Sequence, residues 1–298
     1  MSTAQALPLK SRPLAGARVG IPPRQVEFPF RAESPRYFYD DNALATAFFA
    51  VLSGIFPAGE MYFVESVRHF RDRITDDILK AQVSGFIGQE AIHSREHERL
   101  NAFLSERGFD MRVPDRAIRF GLWLLEQVSP SQKLACTTLM EHFTALLAEQ
   151  LLTDENFRAK ADPELLGLWQ WHALEELEHK AVAYDVYELV GNSVEERRKT
   201  LPLVAAALLP MILGSWSILV ARDPRALHFR EHAHGLKLLL GKGGFVTRIL
   251  PKMGVFFGRN FHPAKHDTRA LEREWKEKLF GASGSLTGIV RNRAALAA

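Results

Sequence analysis

The run from Trp169 to Tyr187, WQWHALEELEHKAVAYDVY, constrains this chain more than any other stretch. It contains no Pro or Gly and is rich in Ala, Leu, Glu and Lys, so it predicts a single helix. On a helix His172, Glu176 and His179 stand at i, i+4 and i+7 and share one face. Two imidazoles and a carboxylate on one stripe are metal ligands, or a polar patch that a core tolerates only when paired. A second run upstream, FIGQEAIHSREHERLN, places Glu90, His93 and His97 in a similar pattern.

Around these runs the sequence predicts four long helices and no sheet, since no stretch alternates like a strand. Helix A runs from Asn42 to Asp72, with Asp40 or Asp41 as its cap and a kink or break at Gly54 and Pro57. Helix B opens at Thr75–Asp77 and closes at Gly108. Val113–Asp115 reads as a turn, and a short amphipathic helix follows to Val128. Helix C starts at Ser129–Pro130, and helix D starts at Asp162–Pro163 and ends near Gly191.

Bundles that hold two metal ions between carboxylates take a Glu from each of two helices and a Glu-x-x-His from each of the other two. Here helix A offers Glu60, helix B Glu90 and His93, helix C Glu141, and helix D Glu176 and His179. Glu60 is preferred to Glu65 and Glu141 to Glu149 by their positions along the helices. Glu175 and Glu178 point off the stripe, either solvated or paired with basic residues. If helices B and D run antiparallel, His97 and His172 border the same end of the site. His172 is then the expected third nitrogen ligand, and His97 an acid/base or supporting group; both are assigned to catalysis. A third Glu-x-x-His, Glu231 to His234, falls outside the ordered pattern. His142 reads as a core or surface histidine and His228 and His232 as surface or second-site histidines, and no spacing fixes a role for Asn101, Asp185 or His262.

The formal charge of +3, from 38 basic and 35 acidic residues, does not describe a nucleic-acid binder. One cysteine, Cys136, excludes an intrachain disulfide and suits a reducing compartment. Residues 1–25, rich in Pro, Arg and Ala, read as a loose tail, 26–192 as the bundle, and 193–298 as a helical extension. No apolar run follows Lys10 and Arg12, so the expected location is cytoplasmic. The uncharged segment Leu201–Ala221 is long enough to span a bilayer. It packs against the bundle, touches a membrane, or spans one.

Five segments between Phe56 and Pro263, namely FPAGEMYFVESVRHF, GQEAIHSREHERLN, LMEHFTALLAEQLL, WHALEELEHKAVAYDVY and NFHP, together resemble a bacterial family of predicted metal-dependent hydrolases of ferritin-like type. That resemblance implies an all-α, ferritin-like four-helix bundle with a dimetal core and additional C-terminal helices. The pattern His172-x3-Glu176-x2-His179 also resembles the third-histidine motif of the arylamine N-oxygenase class of di-iron proteins. This second resemblance implies ligand roles for Glu60, Glu90, His93, Glu141, His172, Glu176 and His179, with iron and dioxygen. The chain departs from it at His97 and in its long apolar segment.

The leading expectation is a di-iron oxidoreductase that activates dioxygen to oxidise a small lipophilic substrate and draws on an electron donor. Four Glu ligands favour it; Mn or Zn in place of Fe is admissible. The alternative is a hydrolase in which paired metals activate water for attack on an ester or phosphoester. A third reading is a non-catalytic, membrane-associated helical protein. A homodimer is compatible with each.

Overall fold

The computed structural model describes residues 15–191, 193–292 and 295–296, and the chain is an all-α helical bundle. Helix α1 (Ala43–Arg68) begins at Asn42, whose side chain accepts the Ala45 N–H. Asp40 and Asp41, expected as caps, instead turn the chain with φ of 53° and 44°. Of the kink or break expected at Gly54 and Pro57, no break occurs. Proline at 57 removes the hydrogen bond that Ser53 O would receive within the helix. The amide of Asn101 donates to that carbonyl at 3.1 Å, so α1 continues without interruption.

Helix α2 (Asp77–Glu106) returns antiparallel to α1: Ser53 meets His97 and Asn101, while Glu60 meets Ser94. Helix α3 (Arg112–Leu125) absorbs the expected turn at 113–115 and crosses to α4 (Pro130–Thr153), which Ser129 caps. A single turn, α5 (Glu155–Arg158), leads to α6 (Pro163–His179), capped by Asp162. The expected single helix through Tyr187 is two. It opens directly after His179, where Lys180 is drawn to His266 O at 2.8 Å and to the Thr268 hydroxyl, and α7 (Val182–Leu189) follows.

Helix α8 (Val194–Ala221) packs antiparallel on α3. The pair touches at Gly121, where an added Cβ would lie 2.6 Å from Ala207 O. Helices α9 (Phe229–Leu240) on α1, the single turn α10 (Leu250–Met253), and α11 (Arg269–Phe280) on α6 complete the fold. Among the described residues there is no strand, only isolated bridges at Val26–Val290 and Tyr39–Ala161.

Apolar packing fills both ends of the bundle. Phe49, Leu104, Leu151 and Leu168 belong to one cluster; Phe63, Phe86, Leu134 and Val186 belong to the other. Between them α1, α2, α4 and α6 bring buried carboxylates and imidazoles together. Two helical stretches, Ala43–Arg73 and Val194–Ala221, are long and apolar enough to cross a membrane by length and composition. The first is largely buried in the core; α8 buries one face and leaves Leu209 and Leu213 each 52% exposed.

The loose tail expected over residues 1–25 is corrected where the chain is described; residues 1–14 lie outside the described residues. Ile21 and Pro23 lie in a notch on α2, where Gly85 and Gly88 leave no room for a side chain. Arg24 is 2% exposed and clamps two buried carboxylates, with Nη1 2.9 Å from Glu175 and Nη2 2.7 Å from Glu178. Glu175 and Glu178 are therefore buried and paired rather than solvated. Removing one partner of such a pair leaves uncompensated buried charge and costs about 3–5 kcal/mol. Arg24→Ala is expected to lower unfolding free energy by that order in denaturant titration; a midpoint equal to the parent chain's would contradict the clamp.

Candidate metal centre

Eight side chains converge between the four long helices: Glu60 from α1, Glu90, His93 and His97 from α2, Glu141 from α4, and His172, Glu176 and His179 from α6. None is more than 4% exposed. The turn-spaced placement on α2 and α6 puts each set on one inward face, as the sequence spacing requires. Glu176 Oε1 lies 2.9 Å from His172 Nε2, 3.7 Å from His179 Nε2 and 3.8 Å from His93 Nδ1. The two oxygens of Glu90 lie 3.3 Å from His179 Nε2 and 3.5 Å from His93 Nδ1. Glu141 Oε2 is 3.6 Å from His179 Nε2, and Glu60 Oε1 is 3.8 Å from His172 Nε2.

The surrounding hydrogen bonds decide which imidazole nitrogen carries the proton. Gln89 Nε2 donates to Pro22 O (3.2 Å) and Glu178 Oε2 (2.8 Å), which fixes its amide orientation. Gln89 Oε1 must then accept from His179 Nδ1–H at 3.0 Å, leaving His179 Nε2 a bare lone pair. Asn101 Nδ2 donates to Ser53 O, so Asn101 Oδ1 accepts the Ser53 hydroxyl at 2.7 Å. Ser53 Oγ therefore accepts from His97 Nδ1–H (3.0 Å), and His97 Nε2 accepts from His172 Nδ1–H (2.7 Å). That leaves His172 Nε2 bare and aimed at Glu176. His93 Nε2 donates to Glu175 Oε2 at 3.0 Å, and its Nδ1 faces Glu90 and Glu176. Burial, with neighbouring His172 adding to it, holds both His93 and His97 well below the usual imidazole range.

Three imidazole lone pairs thus point among four carboxylates, an arrangement that repels itself. Glu60 Oε1, both oxygens of Glu90 and of Glu141, Glu176 Oε2, His93 Nδ1 and His179 Nε2 are buried without a hydrogen-bond partner. A buried charged acceptor left unmade costs upward of about 1–3 kcal/mol. Burial raises Glu60, Glu90 and Glu141 well above the ordinary carboxylate range. Burial acts in the same sense on Glu176, opposed only where His179 and His172 present an added proton to it. Without cations, the cluster would have to take up protons. Two divalent cations satisfy the same atoms: four carboxylates balance their charge, and three neutral nitrogens complete the donor set. The donor set fits a pair of metal ions.

The other candidates fall elsewhere. Glu65 is exposed, 3.8 Å from Lys133, while Glu149 and His142 line a separate cavity. Asp185, Glu188 and His262 cluster on a partly exposed flank. The third Glu-x-x-His serves the fold: Glu231 accepts the Ala43 N–H at 2.6 Å and His234 pairs with Asp40 at 2.7 Å. His97, expected as an acid/base or supporting group, has both nitrogens engaged and is fully buried. The outer groups Ser53, Gln89, Asn101, Glu175 and Arg24 carry no motif of their own; only their reach across helices reveals them.

Residues 22–267 match the family described as "predicted metal-dependent hydrolase", and the chain belongs to that family. No curated protein and no solved structure matches it. Family membership overturns the expectation of a dioxygen-activating oxidoreductase: the family's description is hydrolytic, and the hydrolase alternative fits it. The metal-dependent character agrees with the buried His/Glu clusters.

Outer hydrogen-bond partners of metal-bound histidines typically contribute about 10–100-fold in metal affinity. Gln89→Leu and Ser53→Ala are each expected to weaken metal retention by that factor while helical content stays unchanged, measured by elemental analysis after dialysis against a graded chelator. Glu90→Gln combined with His179→Ala is expected to abolish retention. Unchanged metal content in all three would contradict the centre.

Proposed function

We propose that this chain is a dimetal hydrolase that cleaves an ester-type bond in a small lipophilic molecule. Convergence of the three inward lone pairs on four buried carboxylates supports the dimetal centre, and the family assignment carries the hydrolytic reading. Glu60, His93 and His172 would hold one cation and Glu141 and His179 the other, with Glu90 and Glu176 reaching both. The alternation of Glu and Glu-x-x-His over four helices is that of ferritin-like dimetal bundles. Zinc, manganese and iron all accept such a mixed imidazole and carboxylate set. When bound, the pair supplies a water that is acidic enough to attack near neutral pH and charge to stabilise the developing oxyanion.

The remaining work belongs to the chain's own residues. His97, Ser53 and Asn101 keep His172 in one tautomer and one orientation, so in this reading His97 is a positioning residue. Phe56 packs on both His97 and His172, with ring centroids 4.9 and 4.8 Å away, and excludes water from that side. An apolar crevice of about 40 Å³, lined by Phe49, Leu52, Leu147 and Trp169, ends at His172 and Glu176. Its apolar lining suits a hydrocarbon group rather than a sugar or nucleotide, and its volume admits only a small one.

The outer face of α3 and α8 supports a lipid surface as the place of action. Phe120 (51%), Trp123 (53%), Leu209 and Leu213 stand exposed on these two adjoining helices. Arg116, Arg198 and Lys199 lie exposed toward the helix ends, while Arg222 is paired with Asp110 at 3.2 Å. An apolar strip with basic ends complements an anionic bilayer surface. Leu209→Glu with Leu213→Glu is expected to reduce co-sedimentation with phosphatidylserine-containing vesicles by more than tenfold; unchanged sedimentation, or loss of a dimer instead, would contradict membrane contact.

For the reaction, 4-nitrophenyl esters of increasing acyl length are the direct test. Hydrolysis is expected with the short acyl chains the crevice admits; it is expected to stop on chelation and to return with Zn²⁺ or Mn²⁺. Metal-loaded protein inert toward carboxylic and phosphoric esters alike would contradict the reading.

A further inference from the structure

Residues 255–268 run as a strap across the outer face of α4 and α6. Arg197, fully buried in the first turn of α8, donates to Phe256 O (2.5 Å) and Gly258 O (3.0 Å). The Tyr184 hydroxyl donates to Phe261 O at 2.8 Å. His262 Nε2–H donates to Asp185 at 2.9 Å, and His262 Nδ1 accepts the Ala264 N–H at 3.1 Å. Lys180 ties down His266 O. A strap fixed at four points is a wall, and it stands off the helices.

Between strap and helices lies a cavity of about 770 Å³. Small-molecule sites run to ~300–1,000 Å³. None of the eight side chains of the metal centre lines it. Its floor is apolar, formed by Ala145 and Leu146 of α4 and Leu177 of α6, with Val255 and Phe261 on the strap. Its rim is cationic, with Lys180, Lys252, Arg259 and Lys265. One carboxylate, Glu149, sits in the wall and is taken up locally, 3.5 Å from Lys252 Nζ and 3.0 Å from His266 Nε2. Lys265 Nζ is held by a backbone carbonyl, Asn260 O at 2.6 Å. Among the described residues, no carboxylate forms an ion pair with Arg259 or Lys265. An apolar floor under a rim with surplus positive charge selects a ligand that is itself divided.

We propose that this cavity binds an anionic amphiphile, its hydrocarbon chain over Ala145, Leu146 and Leu177 and its carboxylate or phosphate head at Arg259 and Lys265. The site is separate from the metal centre and does not rest on the hydrolase reading. It assigns a use to the NFHP segment, which builds the strap and contributes nothing to the metal cluster.

Isothermal titration of the full chain with dodecanoate, dodecyl phosphate, dodecanol and inorganic phosphate tests it. At least one anionic amphiphile is expected to bind at one site per chain, at least tenfold more tightly than dodecanol or inorganic phosphate. Comparing dodecanoate with dodecyl phosphate distinguishes the two heads. Arg259→Glu with Lys265→Glu, both at exposed positions, is expected to weaken that binding at least tenfold with unchanged thermal midpoint and metal content. Equal binding of dodecanol, or equal binding by the double variant, would overturn the proposal. So would a double variant that loses metal together with the ligand, since the anion would then belong to the metal centre.

Discussion

Three neutral imidazoles are held with their lone pairs facing four buried carboxylates, and the rest of this fold is arranged to keep them there. Left to themselves these groups repel. What prevents each ring from turning over is an acceptor behind it: Gln89 for His179, Glu175 for His93, and the chain of His97, Ser53 and Asn101 for His172. Each acceptor is itself committed. Gln89 spends both amide hydrogens on Pro22 O and Glu178, and Glu175 is engaged by Arg24. Polar networks in a dry interior specify structure only when every member is satisfied. Here the unpartnered imidazole nitrogens and carboxylate oxygens of the cluster point to one place.

The same contacts tie the helices to one another. Arg24 joins the N-terminal segment to α6, and Gln89 joins α2 to both. Asn101 on α2 supplies the hydrogen bond that Pro57 denies to α1, and through Ser53 it also sets the tautomer of His172. Ligand orientation and helix packing are therefore one problem, which couples metal binding to folding.

The sequence made legible what rests on local spacing. His172, Glu176 and His179 share a face because a helix has 3.6 residues per turn, and Ser129–Pro130 and Asp162–Pro163 mark helix starts by their own chemistry. Antiparallel pairing of α2 and α6 brings His97 to 2.7 Å from His172, a meeting that follows from register alone. What stayed hidden depends on groups distant in the chain. Pro57 reads as a break until Asn101, 44 residues later, is seen to take its partner. Arg24 reads as part of a tail because nothing near it in sequence announces Glu175 and Glu178, more than 150 residues away. Reaction class was the least legible: a set of Glu and His ligands serves oxygen chemistry or hydrolysis, the four Glu lean toward the former, and family membership, not geometry, turns the reading to hydrolysis.

The central claim is that the inward lone pairs exist to hold cations. Anomalous diffraction from crystals of protein purified without added metal tests it most directly. The account predicts two peaks within the bundle, both within reach of Glu90 and Glu176, bound through His93 Nδ1, His172 Nε2 and His179 Nε2. No peak inside the bundle, or metal bound only on the Asp185, Glu188 and His262 flank, would contradict it.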